Sequence, residues 1–162
     1  MNVDQARVKE LLDYDEVSGL FAWKKSQASQ IRVGDVAGGI SSDGYWCITL
    51  HGQRYGAHRL AWLYAHGVIP PADIDHINGD RLDNRLANLR LATRSENMRN
   101  SRGKRSASGL KGAHWRAKRK AWVSQIYKDG KCVYLGRFPT AEEAHAAYVK
   151  AATELFGEFA RA

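Results

Sequence analysis

A chain of 162 residues, 44% of them apolar, can bury one ordinary domain or two to three small ones, which excludes a disordered chain. No stretch approaches about 18 consecutive apolar residues, and MNVDQARVKE lacks the basic-then-apolar layout of a signal peptide, so the expectation is a cytoplasmic protein with no membrane partner. The net charge of +8 lies in the last third: residues 1–100 hold twelve Lys/Arg against twelve Asp/Glu, residues 101–162 thirteen against five.

Residues 4–13 (DQARVKELLD) place Val8, Leu11 and Leu12 on one helical face, and SGLFAW reads as a short strand entered through a glycine turn. Val36–Ala37, YWCITL (45–50) and RYGAH (54–58) predict strands joined by the turns SSDG and HGQ, giving a small α+β layer. AHRLAWLYAHG (57–67) predicts a helix with Leu60, Leu63 and Tyr64 on one face, stopped by Gly67 before Pro70–Pro71. IDHI (74–77) and LRLA (89–92) predict two strands around the polar loop NGDRLDNRLAN. Thr93-Arg94-Ser95-Glu96 fits a capping box, which puts Asn97 about one turn into a helix.

Residues 98–112 (MRNSRGKRSASGLKG) have the composition of an exposed linker. Ten basic residues and no acid between Glu96 and Asp129 suit either a solvated linker or a polyanion whose phosphates release counterions on binding. Beyond it, HWR, WVSQIYKDGKCVYLGRF and TAEEAHAAYVKAATELFG predict a strand, a hairpin with an Asp-Gly turn, and an amphipathic helix. Cys47 and Cys132 stand alone in predicted strands, without the spacing of a disulfide framework or a structural zinc site.

The stretch DHINGDRLDNRLANLRLATRSEN, residues 75–97, orders its groups as phosphodiester hydrolysis would need them. His76, with an unperturbed pKa of roughly 6.5, could activate water near neutral pH, while Asp75 and Asn97 could each offer an oxygen to a hard cation. Oxygen ligands completed by water and phosphate suit Mg²⁺ or Mn²⁺ better than Zn²⁺. Neighbours on a regular strand point to opposite faces, so bringing Asp75 and His76 to one phosphate requires a twisted strand end or a phosphate at its edge. Asn84 and Asn88 suit loop closure, and Asn88 could also brace the backbone around His76. Taken singly, NGD and DN are ordinary turn sequences.

The ordered set Asp75-His76, Asn88 and Asn97 resembles the HNH nucleases, specifically the phage and group I intron homing endonucleases, with Asn97 in place of the second His as in an HNN subset. LLDYDEVSGLFAW and GYWCITLHGQRYGAHRLAW extend the resemblance over residues 10–100. It implies a phage-encoded protein in a bacterial host that cleaves double-stranded DNA. His76 would be the general base, Asn88 would orient it, and Asp75 with Asn97 would hold one divalent cation, with no structural zinc. His58 and Arg59 also fall within it and could approach a phosphate, although for His58 the expectation is a structural ring bonded to backbone. Arg94 and Arg99 flank the ligand position as phosphate contacts or as a solvated helix face.

In the C-terminal hairpin, alternation places Trp122, Ser124 and Ile126, joined by Val133 and Leu135, under a helix face of Ala144, Ala147, Tyr148 and Ala151. The other face would present His114, Arg116, Gln125, Tyr127 and Tyr134, groups able to read base edges, with Trp115 and Trp122 expected in the core. Gly112-Ala113, Trp122-Val-Ser-Gln-Ile, Tyr134-Leu-Gly-Arg-Phe and Thr140-Ala-Glu-Glu-Ala resemble the DNA-binding domain of plant ethylene-response factors over residues 108–158. In HWRAKRKAW the sequence is less Arg-dense than that family at its base-reading positions.

The expected fold is α+β: a small N-terminal region (1–56), a ββα-metal nuclease motif (57–100), a basic linker (101–111) and a three-stranded antiparallel sheet on one helix (112–162). DNA contacts are expected from Arg94, Arg99, Arg102, Lys104, Arg105, His114, Arg116, Lys118, Gln125, Tyr127 and Tyr134. One site per chain permits nicking by a monomer or double cutting by a homodimer. The rival readings are a DNA-binding regulator with a vestigial nuclease motif, and a toxin-like or restriction nuclease without site choice.

Overall fold

The computed structural model describes residues 3–26, 30–94, 96–97 and 108–160, and the chain divides into two compact units, Met1–Arg94 and Ser95–Ala162. In the first unit, Asp4 caps α1 (Gln5–Leu11) by accepting from the Arg7 amide at 2.8 Å, satisfying a donor the helix cannot. The helix stops earlier than its apolar face suggests. Leu12 is extended and opens β1 (Leu12–Tyr14), which pairs antiparallel with β2 (Phe21–Trp23). Leu12 and Tyr14 face inward and Asp13 outward, so a two-residue period takes over where the helical one was expected.

Strands β3 (Gly39–Ile40), β4 (Trp46–Leu50) and β5 (Gln53–Gly56) form an antiparallel sheet in that order. Val36, expected in a strand, makes only an isolated bridge to Ala22. From β5 the chain runs straight into α2 (Ala57–His66), which buries Ala57, Leu60, Ala61 and Leu63 and ends at Gly67 in the left-handed region (φ 76°). One core extends from Val8 through Phe21, Ile48 and Leu60 to Ile74 and Leu89, so residues 1–56 pack with the motif hairpin. That hairpin is β6 (Asp73–His76) against β7 (Leu89–Ala92), with Asp75 opposite Arg90 and His76 opposite Leu89. Arg94, Glu96 and Asn97 are helical, completing a strand–strand–helix order.

In the second unit, β8 (Ala113–Arg116), β9 (Ala121–Lys128) and β10 (Lys131–Phe138) form an antiparallel sheet with β9 central. Helix α3 (Ala141–Phe156) packs on all three strands and is capped by Thr140, whose hydroxyl accepts from the Glu143 amide at 3.2 Å. Its small buried residues Ala141, Ala144 and Ala152 let the backbones approach, with Ala152 rather than Ala151 fully buried. A bulge between Tyr134 and Gly136 breaks the register of β10. Val133, expected under the helix, is 41% exposed, and Trp115 is 48% exposed instead of core. Trp115 sits on an edge strand, its ring 5.5 Å from that of Trp122, which does pack against the core. Among the described residues no helix is long and apolar enough to cross a membrane.

Candidate active site and nucleic-acid interface

The loop between β6 and β7 is closed by its own polar side chains. Asn78 Oδ1 accepts from the Asp80 amide at 2.8 Å and Asp80 Oδ1 from the Leu82 amide at 3.0 Å, turns that Asn and Asp favour. Asp83 accepts from Asn78 Nδ2 at 2.8 Å and from Arg85 Nε and Nη2 at 2.7 and 2.6 Å; those Arg85 bonds bring its pKa down to about 2. Asn88 ties the ends together: its Oδ1 accepts from the Asn78 amide, its Nδ2 donates to Asn78 Oδ1 and the Asp83 carbonyl, and its own carbonyl accepts from the Ile77 amide. Asn88 therefore acts on the backbone beside His76 rather than on the imidazole.

His76 ends its strand and is 5% exposed. Its Nε2 lies 3.1 Å from Asn84 Oδ1, and Asn84, wholly buried, donates through Nδ2 to the Leu82 carbonyl at 3.0 Å. The second bond fixes the amide so that its oxygen faces the imidazole. An oxygen only accepts, so Nε2 carries the proton and the neutral ring keeps its lone pair on Nδ1. Burial pushes the His76 pKa down, opposed by the Asn84 bond and the charges of Asp75, Asp83 and Asp80. Loop closure was the expectation for Asn84. Nothing in the sequence signals its contact with His76, because only the path of the loop brings position 84 back to position 76.

Asn84 is itself held from the N-terminal region. Tyr14 donates its hydroxyl to the Asn84 carbonyl at 2.9 Å, and burial raises that phenol to about 12. Gly19 (φ 73°) lies so close that a Cβ would come within 2.4 Å of the Arg85 amide nitrogen and 2.7 Å of the Asn84 carbonyl carbon.

A triangle of rings flanks the imidazole. His58, near the start of α2, lies 5.3 Å from His76 between ring centroids, and Tyr45 lies 5.4 Å from His58 and 6.1 Å from His76. The Arg81 guanidinium covers Tyr45 at 4.6 Å and donates to the Asp43 carbonyl at 2.7 Å. Among the described residues the backbone bond expected for His58 is not made, and its Nδ1 is sealed from solvent with no partner there. Burial, then the neighbouring His76 and Arg59, bring the His58 pKa down to about 4. Arg59 itself reaches the Pro70 carbonyl at 3.4 Å.

Asp75 is 4% exposed, and its Oδ2 accepts from both Arg90 Nε and Nη2, at 2.9 and 2.8 Å, in an ion pair across the hairpin. The strand alternation thus sends Asp75 towards Arg90 and His76 towards Asn84, His58 and Tyr45. Asn97 is half-buried and helical, in the second unit. Among the described residues no group of three His, Cys, Asp or Glu side chains could hold a metal ion alone. The Asp75 carboxylate, completed by water and substrate oxygens, fits a hard divalent cation that keeps part of its hydration shell, and does not fit a structural zinc.

Of the expected DNA contacts, Arg94 is exposed at the helix start, while Arg99, Arg102, Lys104 and Arg105 lie outside the described residues, as does most of the 101–111 linker. In the second unit the register puts His114, Arg116, Gln125, Tyr127 and Tyr134 on one sheet face. Tyr127 and Tyr134 are open to solvent, whereas Val123 on that face is buried between its cross-strand neighbours His114 and Arg137. An open depression of about 570 Å³ runs along the sheet end past Trp115, Arg116, Lys118, Arg119, Gln125 and Tyr134. Arg119 and Trp115 were not among the expected contacts.

The profile of the HNH endonucleases matches residues 55–99, the segment that contains Gly56, His58 and all four motif residues. The chain is 39% identical over 106 residues to Protein 3.8 of Escherichia phage T7, an alignment covering 64% of this chain and 87% of the phage protein. It is also 38% identical over 106 residues to an uncharacterized HNH endonuclease of Acanthamoeba polyphaga mimivirus, covering 64% of this chain and 54% of the viral one. Residues 55–99, with Asp75, His76, Asn88 and Asn97 all inside them, therefore carry an HNH endonuclease motif, and the chain spans about half the length of the mimivirus relative.

Proposed function

We propose that the protein is a metal-dependent endonuclease of the homing type that hydrolyses phosphodiester bonds of duplex DNA. His76 Nδ1 takes a proton from the attacking water, Asn84 holds the ring in that tautomer, and Asn88 braces the backbone beside it. The observation that carries this reading is the Asn84 amide, anchored at Leu82, which leaves His76 Nδ1 as the basic nitrogen of a buried imidazole. Asp75 and Asn97 would hold one Mg²⁺ or Mn²⁺, which when bound stabilises charge on the phosphate and the leaving oxygen. Arg90, through its bonds to Oδ2, orients the Asp75 carboxylate. Target recognition belongs to the second unit, whose His114–Tyr134 sheet face and basic rim, with Arg116 and Lys118, suit a DNA groove; Arg94, Arg99, Arg102, Lys104 and Arg105 contact phosphates.

The test is incubation with supercoiled plasmid, with Mg²⁺, with Mn²⁺ and with a chelator. Relaxed product means nicking and linear product means paired cuts. The expected result is cation-dependent cleavage that His76→Ala abolishes while DNA binding stays within about twofold. Cleavage by His76→Ala at the parent rate would remove the assigned base, and tight binding without cleavage in either cation would favour the regulator.

A further inference from the structure

The motif accounts for one imidazole, yet two lie together. His58 has no hydrogen bond to either ring nitrogen from the described residues, and of the two only Nδ1 is sealed from solvent. Buried N–H groups are almost always paired, while buried acceptors are left unpaired more often. The sealed Nδ1 is thus the unprotonated nitrogen, and the proton is on Nε2, the nitrogen a ligand can reach. The ring's seat is built for it. Gly56 has φ −67°, which any residue adopts, but a Cβ there would lie 2.6 Å from His58 Cε1 and 3.1 Å from Nδ1. Glycine at 56 therefore makes room for the ring rather than for a backbone turn. Tyr45, under Arg81, closes another side.

We propose that His58 is a further catalytic residue, a neutral donor whose Nε2–H bonds a non-bridging oxygen of the scissile phosphate beside the base. This rests on the reading of His76 as that base, 5.3 Å away between ring centroids. Neutrality suits the position. A lysine or arginine so close would depress the basicity of His76, whereas an uncharged N–H stabilises charge developing on the phosphate without that cost. Burial keeps His58 in its neutral form at neutral pH.

The test compares full-length His58→Phe, which keeps the ring and loses the donor, with His58→Gln, whose amide nitrogen can replace Nε2–H. In plasmid cleavage with Mg²⁺, His58→Phe should lose about 10–100-fold in kcat with KM for DNA nearly unchanged, and His58→Gln should recover at least about threefold of that loss. Gly56→Ala, which pushes the ring away, should resemble His58→Phe. Nitrogen-15 NMR of the parent should show His58 as the Nε2–H tautomer, with its Nε2 resonance shifting when duplex DNA is added. Parent-like cleavage by His58→Phe, a His58→Gln no better than His58→Phe, an Nδ1–H tautomer, or an Nε2 resonance indifferent to DNA would each overturn the proposal. Cleavage by His76→Ala at the parent rate sinks the base assignment separately, since the NMR measurements and the Phe/Gln comparison still report on His58 alone.

Discussion

Gly19→Ala reaches the site from outside it, through the backbone of Asn84 and Arg85. Two costs combine. Alanine in the left-handed region (φ 73° here) is disfavoured by about 1–2 kcal/mol, and its Cβ would stand 2.4 Å from Arg85 N and 2.7 Å from Asn84 C. Those are backbone atoms, which cannot rotate aside, so residues 84–85 must shift, adding an overpacking cost of about 1–3 kcal/mol. The combined loss of about 3 kcal/mol corresponds to a Tm lower by about 10–20 °C for a unit of this size. Gly52→Ala is the matched control: φ is 77° there and nothing lies within 4 Å, so only the backbone cost of about 1–2 kcal/mol applies. Both variants are melted by circular dichroism and then assayed for plasmid cleavage at a temperature where both remain folded. Because Asn84 sets the His76 tautomer, Gly19→Ala should cleave at least about tenfold more slowly than Gly52→Ala. Melting points within about 2 °C of each other, with equal cleavage, would refute the idea that the β1–β2 turn holds the Asn84 loop.

Tyr14→Phe removes the bond to the Asn84 carbonyl and should cost about 1 kcal/mol in urea denaturation, with slower cleavage. Arg90→Leu takes both bonds from the buried Asp75 carboxylate and should cost about 3 kcal/mol, read from the urea midpoint, with Arg90→Lys restoring part of it. Both site histidines are held neutral when folded and can charge when unfolded, so unfolding takes up protons below the ordinary histidine value of 6.5. Stability should therefore be fully present above pH 6.5 and fall as the pH drops towards the His58 value of about 4. His58 alone should account for about 2 kcal/mol between pH 7 and pH 5, a slope that His58→Phe should flatten.

Much of the fold is visible in local pattern. The apolar face of 57–67 and Gly67 after it mark α2; the alternation in WVSQIYK and the Asp-Gly turn mark β9 and β10; Thr140 with Glu143 marks the start of α3. The errors fall where two periods overlap or where an edge strand leaves a large side chain uncovered. Leu12 satisfies both a helical stripe and a strand, and pairing with Trp23 decides for the strand. Trp115 is apolar enough for a core, but its strand lies at the sheet edge and leaves it half in solvent.

The site divides in the same way. Its chemistry, an imidazole beside a carboxylate with amides at fixed spacings, is written in the order Asp75-His76, Asn88, Asn97, because side-chain identity limits what can accept a proton or ligate a hard ion. What the order does not encode is which groups meet. Asn84 reaches His76 over eight residues of loop, Tyr14 reaches Asn84 over seventy, and His58 meets His76 from another element altogether. Such contacts arise only when separate elements close over one core, so the residue types follow from the sequence while the choice of basic nitrogen, and of its neighbours, belongs to tertiary packing.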